Sequence, residues 1–132
     1  MSTAAIYILS SLRCVVGVSF LAVPTHIARI LCVPPTPPAL SISRVGGVRD
    51  IVFGAALPAA KPPTMKRNIL AMGVVSDTVD IVAVSTFYAT GHIDGFPATA
   101  LRSGSLLFLV LGLVGLRELR IAPGRYINEG YQ

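Results

Sequence analysis

Five charged residues fall near the middle of apolar segments. Arg13 lies in one segment, Arg49 and Asp50 in a second, Asp77 and Asp80 in a third. An ionisable group in a bilayer core costs roughly 3 kcal/mol unless it pairs or faces water. A chain built this way has few options: its helices must turn these residues toward one another. The same cost makes the cluster the first place to look for chemistry.

The composition agrees with a membrane setting. The chain is 53% hydrophobic and 13% charged, against about 25% charged in a soluble domain. Four segments are long enough to cross about 30 Å of hydrocarbon, which takes ~20 helical residues. They run over about residues 4–23, 40–60, 69–90 and 98–121. Pro24 stops the first, and the loop after it carries Pro34, Pro35, Pro37 and Pro38, through which no helix continues. Pro58 bends the last turn of the second, and Lys61, Pro62, Pro63, Lys66 and Arg67 make the next turn. Gly91 to Pro97 ends the third, and Pro123 with Gly124 stops the fourth. The expectation is a single all-α domain over residues 1–132, an integral membrane four-helix bundle. Glycines along the segments let the helices approach closely, and the apolar fourth helix walls the bundle.

Loop charge orients it. Lys61, Lys66, Arg67, Arg117, Arg120 and Arg125 lie in the second loop and the tail, against Arg29 and Arg102 in the first and third loops. That asymmetry places both termini in the cytosol. The net charge of +5 has the same origin. It forms no aromatic-interleaved patch, so nucleic acid is not an expected partner. Cys14 and Cys32 stand too far apart along helical chain for a disulfide. His26 and His92 lack metal-ligand spacing, and neither a phosphate loop nor a nucleotide-binding glycine motif occurs. No metal and no cofactor are expected.

Depth and rotation sharpen the cluster. Arg13, Arg49, Asp50, Asp77 and Asp80 share one slab near the bilayer midplane. Arg44 lies about 7–8 Å from Arg49 along the axis, toward the non-cytosolic side. Three arginines then balance three aspartates, as a low-dielectric site requires. Adjacent Arg49 and Asp50 point about 100° apart, so one faces helix three and the other helix one. Asp77 and Asp80 share a face. Like charges there repel, so one stays ionised while the other holds a proton, the arrangement of an acid–base pair. Tyr7, Ser10 and Ser11 of helix one, with Thr86 and Tyr88 of helix three, supply further polar contacts. The plainer reading is an ion-pair lock, Arg49 with Asp77 or Arg13 with Asp50, that sets helix register without catalysis.

The run Arg44-Val-Gly-Gly-Val-Arg49-Asp50-Ile-Val-Phe-Gly54 resembles the R-x-x-G-x-R-D-x-x-x-G signature of small four-helix membrane proteins common in fungi, with a domain of unknown function. Asp77 and Asp80, and the spacing from Gly17 to Pro24, are similar to that family too. The resemblance extends over nearly the whole chain, and the helix-two motif is its most specific part. Some members resemble small hydrolases of aurovertin- and citreoviridin-type polyketide clusters. What this implies is an epoxide hydrolase or cyclase of secondary metabolism, multi-pass in the endoplasmic reticulum membrane, acting on an apolar small molecule that arrives through the bilayer. Asp77, Asp80 and Asp50 then divide the acid and base roles, Arg49 bridges carboxylates, and Arg13 stabilises the opening oxygen. Arg44, Tyr7 and Tyr88 contact substrate. The residues themselves leave two other readings open: an accessory membrane protein with locked helices, and a small carrier, for which four helices without a repeat are few. Whether the chain forms a homo-oligomer stays open as well.

Overall fold

A computed structural model describes the backbone over residues 2–121 and side chains over residues 4–119. The Pro123–Gly124 stop, Arg125 and the side chain of Arg120 lie outside these residues. The described chain is all-helical, with α1 Ser2–Ala22, α2 Pro24–Ile30, α3 Pro37–Ala59, α4 Pro63–Ala89 and α5 Gly95–Ile121.

Four of these helices are long, and they match the four expected segments to within a few residues except at the start of α4. The short α2 was not expected. Pro24 cannot continue α1, because it lacks an N–H and its ring clashes with the preceding turn. At the first position of a new helix both features are harmless, so the chain restarts there instead of entering a loop. Pro37 and Pro63 likewise open α3 and α4. Lys66 and Arg67 therefore belong to the first turns of α4 and not to the preceding turn.

Two helices end the same way. At the end of α4, His92 N–H reaches the Phe87 carbonyl at 2.9 Å and Gly91 N–H the Tyr88 carbonyl at 3.1 Å. This closure needs a left-handed residue, and Gly91 supplies it at φ +73°. At the end of α2, Val33 N–H bonds the Ala28 carbonyl at 2.8 Å and Cys32 N–H the Arg29 carbonyl at 3.0 Å. Here Cys32 itself takes the left-handed conformation, at φ 54°, where a side chain costs roughly 1–2 kcal/mol.

The long helices form a bundle in which sequence neighbours pack antiparallel. Facing pairs along α1 and α3 are Ser10 with Gly54, Arg13 with Asp50, and Gly17 with Gly47. A Cβ placed on Gly47 would sit 2.6 Å from the Gly17 carbonyl oxygen, so only glycine permits this approach. On the other side, Val74 and Leu70 of α4 pack onto Gly112 and Gly115 of α5. α5 closes onto α1, and α3 touches α4 over a shorter stretch than either tight pair. α1 and α4 are therefore diagonal. Ile6, Leu9, Leu57, Leu70 and Phe108 form the apolar core, toward the end that holds the start of α1 and the end of α5.

Burial is inverted relative to a soluble protein. Val15, Val18, Ile42, Val45, Val52, Val75, Val79 and Val82 are exposed, while Arg13, Asp50 and Asp77 are buried. An apolar exterior around a charged interior needs lipid outside. α1, α4 and α5 are each long and apolar enough to cross a membrane. α3 is long enough, with 23 residues, but carries Arg44, Arg49 and Asp50.

Pro58, inside α3, leaves the Gly54 carbonyl without its helical donor. The Ser10 hydroxyl of α1 donates to that carbonyl at 2.5 Å. Ser10→Ala should cost about 1–3 kcal/mol by orphaning a buried acceptor. In a Pro58→Ala background, where the backbone N–H returns, the same change should cost much less. Unfolding midpoints of the four variants check this. An equal cost in both backgrounds would show that Ser10 serves packing alone.

Candidate functional site

Arg13, Asp50 and Asp77 each fall near the middle of their helices, so antiparallel packing brings them to one depth. Arg13 of α1 crosses the bundle interior. Its Nη1 bonds Asp50 Oδ1 of α3 at 2.9 Å, and its Nη2 bonds Asp77 Oδ2 of the diagonal helix α4 at 2.5 Å. Its guanidinium carbon lies 4.7 Å from the centre of the Phe108 ring of α5 and 5.7 Å from that of Phe53 of α3. Gly73 of α4 leaves the room this group needs, since a Cβ there would stand 3.3 Å from Nη2. All four long helices thus meet around one cation, whose side chain is 2% exposed. The ring faces add attraction that charge pairing alone does not supply.

Arg49 makes the outer half. It grips Asp80 of α4 through both terminal nitrogens, at 2.9 and 2.8 Å, and reaches Asp50 Oδ1 at 3.3 Å. The Arg49 side chain is 30% exposed and that of Asp80 33%. The five groups form one chain: Asp77, Arg13, Asp50, Arg49, Asp80. Asp50 is the link, because both arginines bond the same oxygen of it, Oδ1. Two guanidinium groups face three carboxyl groups, so a neutral cluster holds one proton. Among buried atoms, Asp77 Oδ1 and Arg49 Nε have no hydrogen-bond partner.

Arg49 turns to α4 and Asp50 to α1, so the two diverge as adjacent residues on a helix must. Asp77 and Asp80 share a face but do not act on each other: Asp77 lies under the diagonal arginine, and Asp80 at the α3–α4 seam takes Arg49. The lock pair Arg13–Asp50 is present, and Arg49 takes Asp80 in place of Asp77. Arg44 is exposed and makes no ion pair among the described residues. The expected balance of three arginines against three aspartates is therefore corrected to two against three. Arg44 stands nearer the start of α3 than Arg49 and on its exposed face. Tyr7 is 56% exposed, on the outer face of α1. Tyr88 lies near the end of α4 beneath Arg102, whose guanidinium carbon is 5.1 Å from its ring centre. Neither tyrosine bonds the cluster. Ser10 serves the backbone of α3, while Thr78 and Thr86 bond carbonyls of their own helix. Cys14 and Cys32 are free thiols.

Phe53, Phe108 and Gly73 complete the site without having been singled out for it. The one available signal was depth, since Phe108 sits at the middle of the apolar α5. No protein-family model matches the chain, and neither a curated protein nor a solved structure matches it.

The arrangement divides in two. The inner triad of Arg13, Asp50 and Asp77 is closed to solvent and lipid. The outer triad of Asp50, Arg49 and Asp80 borders the loosely packed α3–α4 seam. An arginine that joins two carboxyl groups of unequal exposure can hold one ionised and the other protonated at fixed separation.

Proposed function

We propose that the chain is a four-span membrane protein, both termini cytosolic, whose outer triad performs acid–base chemistry on an apolar small molecule entering laterally through the α3–α4 seam. The observation that carries this reading is the Asp50–Arg49–Asp80 bridge, with its outer carboxylate a third exposed. A register lock needs only closed pairs, and the inner triad already supplies them. An open, bidentate ion pair at the bilayer midplane costs solvation without adding much stability.

The reaction we assign is epoxide opening, to which the resemblance of the Arg44–Gly54 run contributes the substrate class. Asp80 takes a proton from water as its oxygen attacks an epoxide carbon. The carbon–oxygen bond breaks, and the departing oxygen takes the one proton of the neutral cluster, passed through Asp50, whose Oδ2 has no arginine partner. Arg49 keeps the two carboxyl groups in place. Arg13 and Asp77 position Asp50 and do not touch substrate, which narrows the roles expected of them from sequence. Proton return from Asp80 to Asp50 closes the cycle with no cofactor.

Membranes containing the chain, incubated with a long-chain polyene epoxide in oxygen-18 water, should yield a diol with one labelled oxygen. An unlabelled cyclic ether would identify a substrate hydroxyl as the nucleophile and exclude hydrolysis. Product equal to that of membranes lacking the chain would exclude turnover of this class. The second reading, an accessory protein with a charged lock, would then stand on the enclosure of Arg13.

A further inference from the structure

A separate groove opens between α4 and α5 at the end where these helices are joined. It measures about 350 Å³ and is lined by Ile81, Thr99, Arg102, Ser103 and Leu106. The packing of Val74 on Gly112 and Leu70 on Gly115 sets the register of the two helices. By that register Leu106 stands near the depth of Asp80, and Thr99 near that of Phe87. The groove is therefore apolar at the bilayer midplane and polar toward the interface, the gradient a phospholipid presents.

Arg102 is its only cation. Its Nε donates to the Ala98 carbonyl at 3.1 Å, so the side chain runs toward the start of α5 and the membrane surface. It stacks over Tyr88 at 5.1 Å, and interfacial aromatics of this kind mark the headgroup level. No carboxylate pairs with it, and its terminal nitrogens have no acceptor among the described residues. Thr99 and Ser103 donate their hydroxyls to the Gly95 and Thr99 carbonyls, at 2.7 and 2.8 Å. Their oxygens are left to accept. One strong donor group beside two acceptors fits an anionic phosphate whose own headgroup carries hydroxyls.

We propose that this groove binds an anionic phospholipid, its phosphate on Arg102, its headgroup hydroxyls toward Thr99 and Ser103, and one acyl chain along Leu106 and Ile81. The site is distinct from the Arg13–Arg49 cluster, and nothing in it depends on that cluster being catalytic.

The test is native mass spectrometry of the purified full chain in detergent with equal phosphatidylglycerol and phosphatidylcholine. The wild type should retain one phosphatidylglycerol with about fivefold preference, the contribution of one basic residue at an anionic lipid surface. Arg102→Gln should abolish the preference. Ser103→Leu, which fills the groove and keeps the charge, should abolish it too, and covers the case in which Arg102→Gln fails to fold. Equal retention of both lipids by the wild type would overturn the proposal, as would unchanged preference in either folded variant. Displacement of the lipid by inorganic phosphate alone would also overturn it, by marking a free-anion site.

Discussion

Arg13→Met should be the most damaging single substitution in the chain, with a cost of about 3–5 kcal/mol. The size follows from what remains. Asp50 and Asp77 have side chains 9% and 1% exposed. Without Arg13, Asp77 has no ion-pair partner, and Asp50 keeps only the longer 3.3 Å contact to Arg49. Two carboxyl groups would then sit in the bundle interior with one cation between three. Methionine replaces the volume and the contact with Phe108 but none of the charge. The triple variant Arg13→Met, Asp50→Asn, Asp77→Asn removes the whole inner set and leaves Arg49 with Asp80. It should recover most of the lost stability, because well-packed neutral replacements of buried ion groups are often neutral or better. Unfolding midpoints in a fixed detergent measure both. A triple variant no more stable than Arg13→Met would mean that Arg13 acts through shape and not through charge.

Asp80→Asn should do the opposite. The Asp80–Arg49 pair is a third exposed on both sides, and the amide oxygen of an asparagine there still accepts a hydrogen bond from Arg49. Arg49 also keeps Asp50. The folded amount should change little. Turnover should fall about 10²–10⁴-fold, the usual contribution of a positioned acid or base, because asparagine keeps the shape but accepts no proton from water. Initial rates on the polyene epoxide, normalised to folded protein, read this out. Retained turnover would remove Asp80 as the base. A matched loss of folded protein would return the whole cluster to the locking role.

Much of this was open to inference from residue positions, and the part that was not has a physical explanation. Helix rise sets depth, so the shared level of Arg13, Asp50 and Asp77 could be read before any packing was known. Helix rotation sets relative direction within one helix, so the divergence of Arg49 from Asp50 followed as well. Neither says which helix lies opposite. Asp77 and Asp80 share a face, yet one meets α1 across the diagonal and the other meets α3 at the seam. That difference separates a closed position from an open one. Arg44 belongs to the same motif and lies close in depth, but its face looks outward. Depth alone gave it a place in the cluster that rotation removes. The Ser10–Pro58 relation was hidden for another reason: the missing donor is a backbone effect of proline on one helix, and its remedy is a hydroxyl on another.

The division of the cluster into a closed half that holds the fold and an open half that does chemistry is the central claim. Arg13 and Arg49 test it as a matched pair, since both are midplane arginines that bond two carboxyl groups. Unfolding free energies of Arg13→Met and Arg49→Met, measured side by side in one detergent, compare them directly. The predicted result is a loss of about 3–5 kcal/mol for Arg13→Met and a clearly smaller loss for Arg49→Met, because Asp50 keeps Arg13 and only the partly exposed Asp80 loses its partner. Equal losses would contradict the division, and so would a larger loss at Arg49.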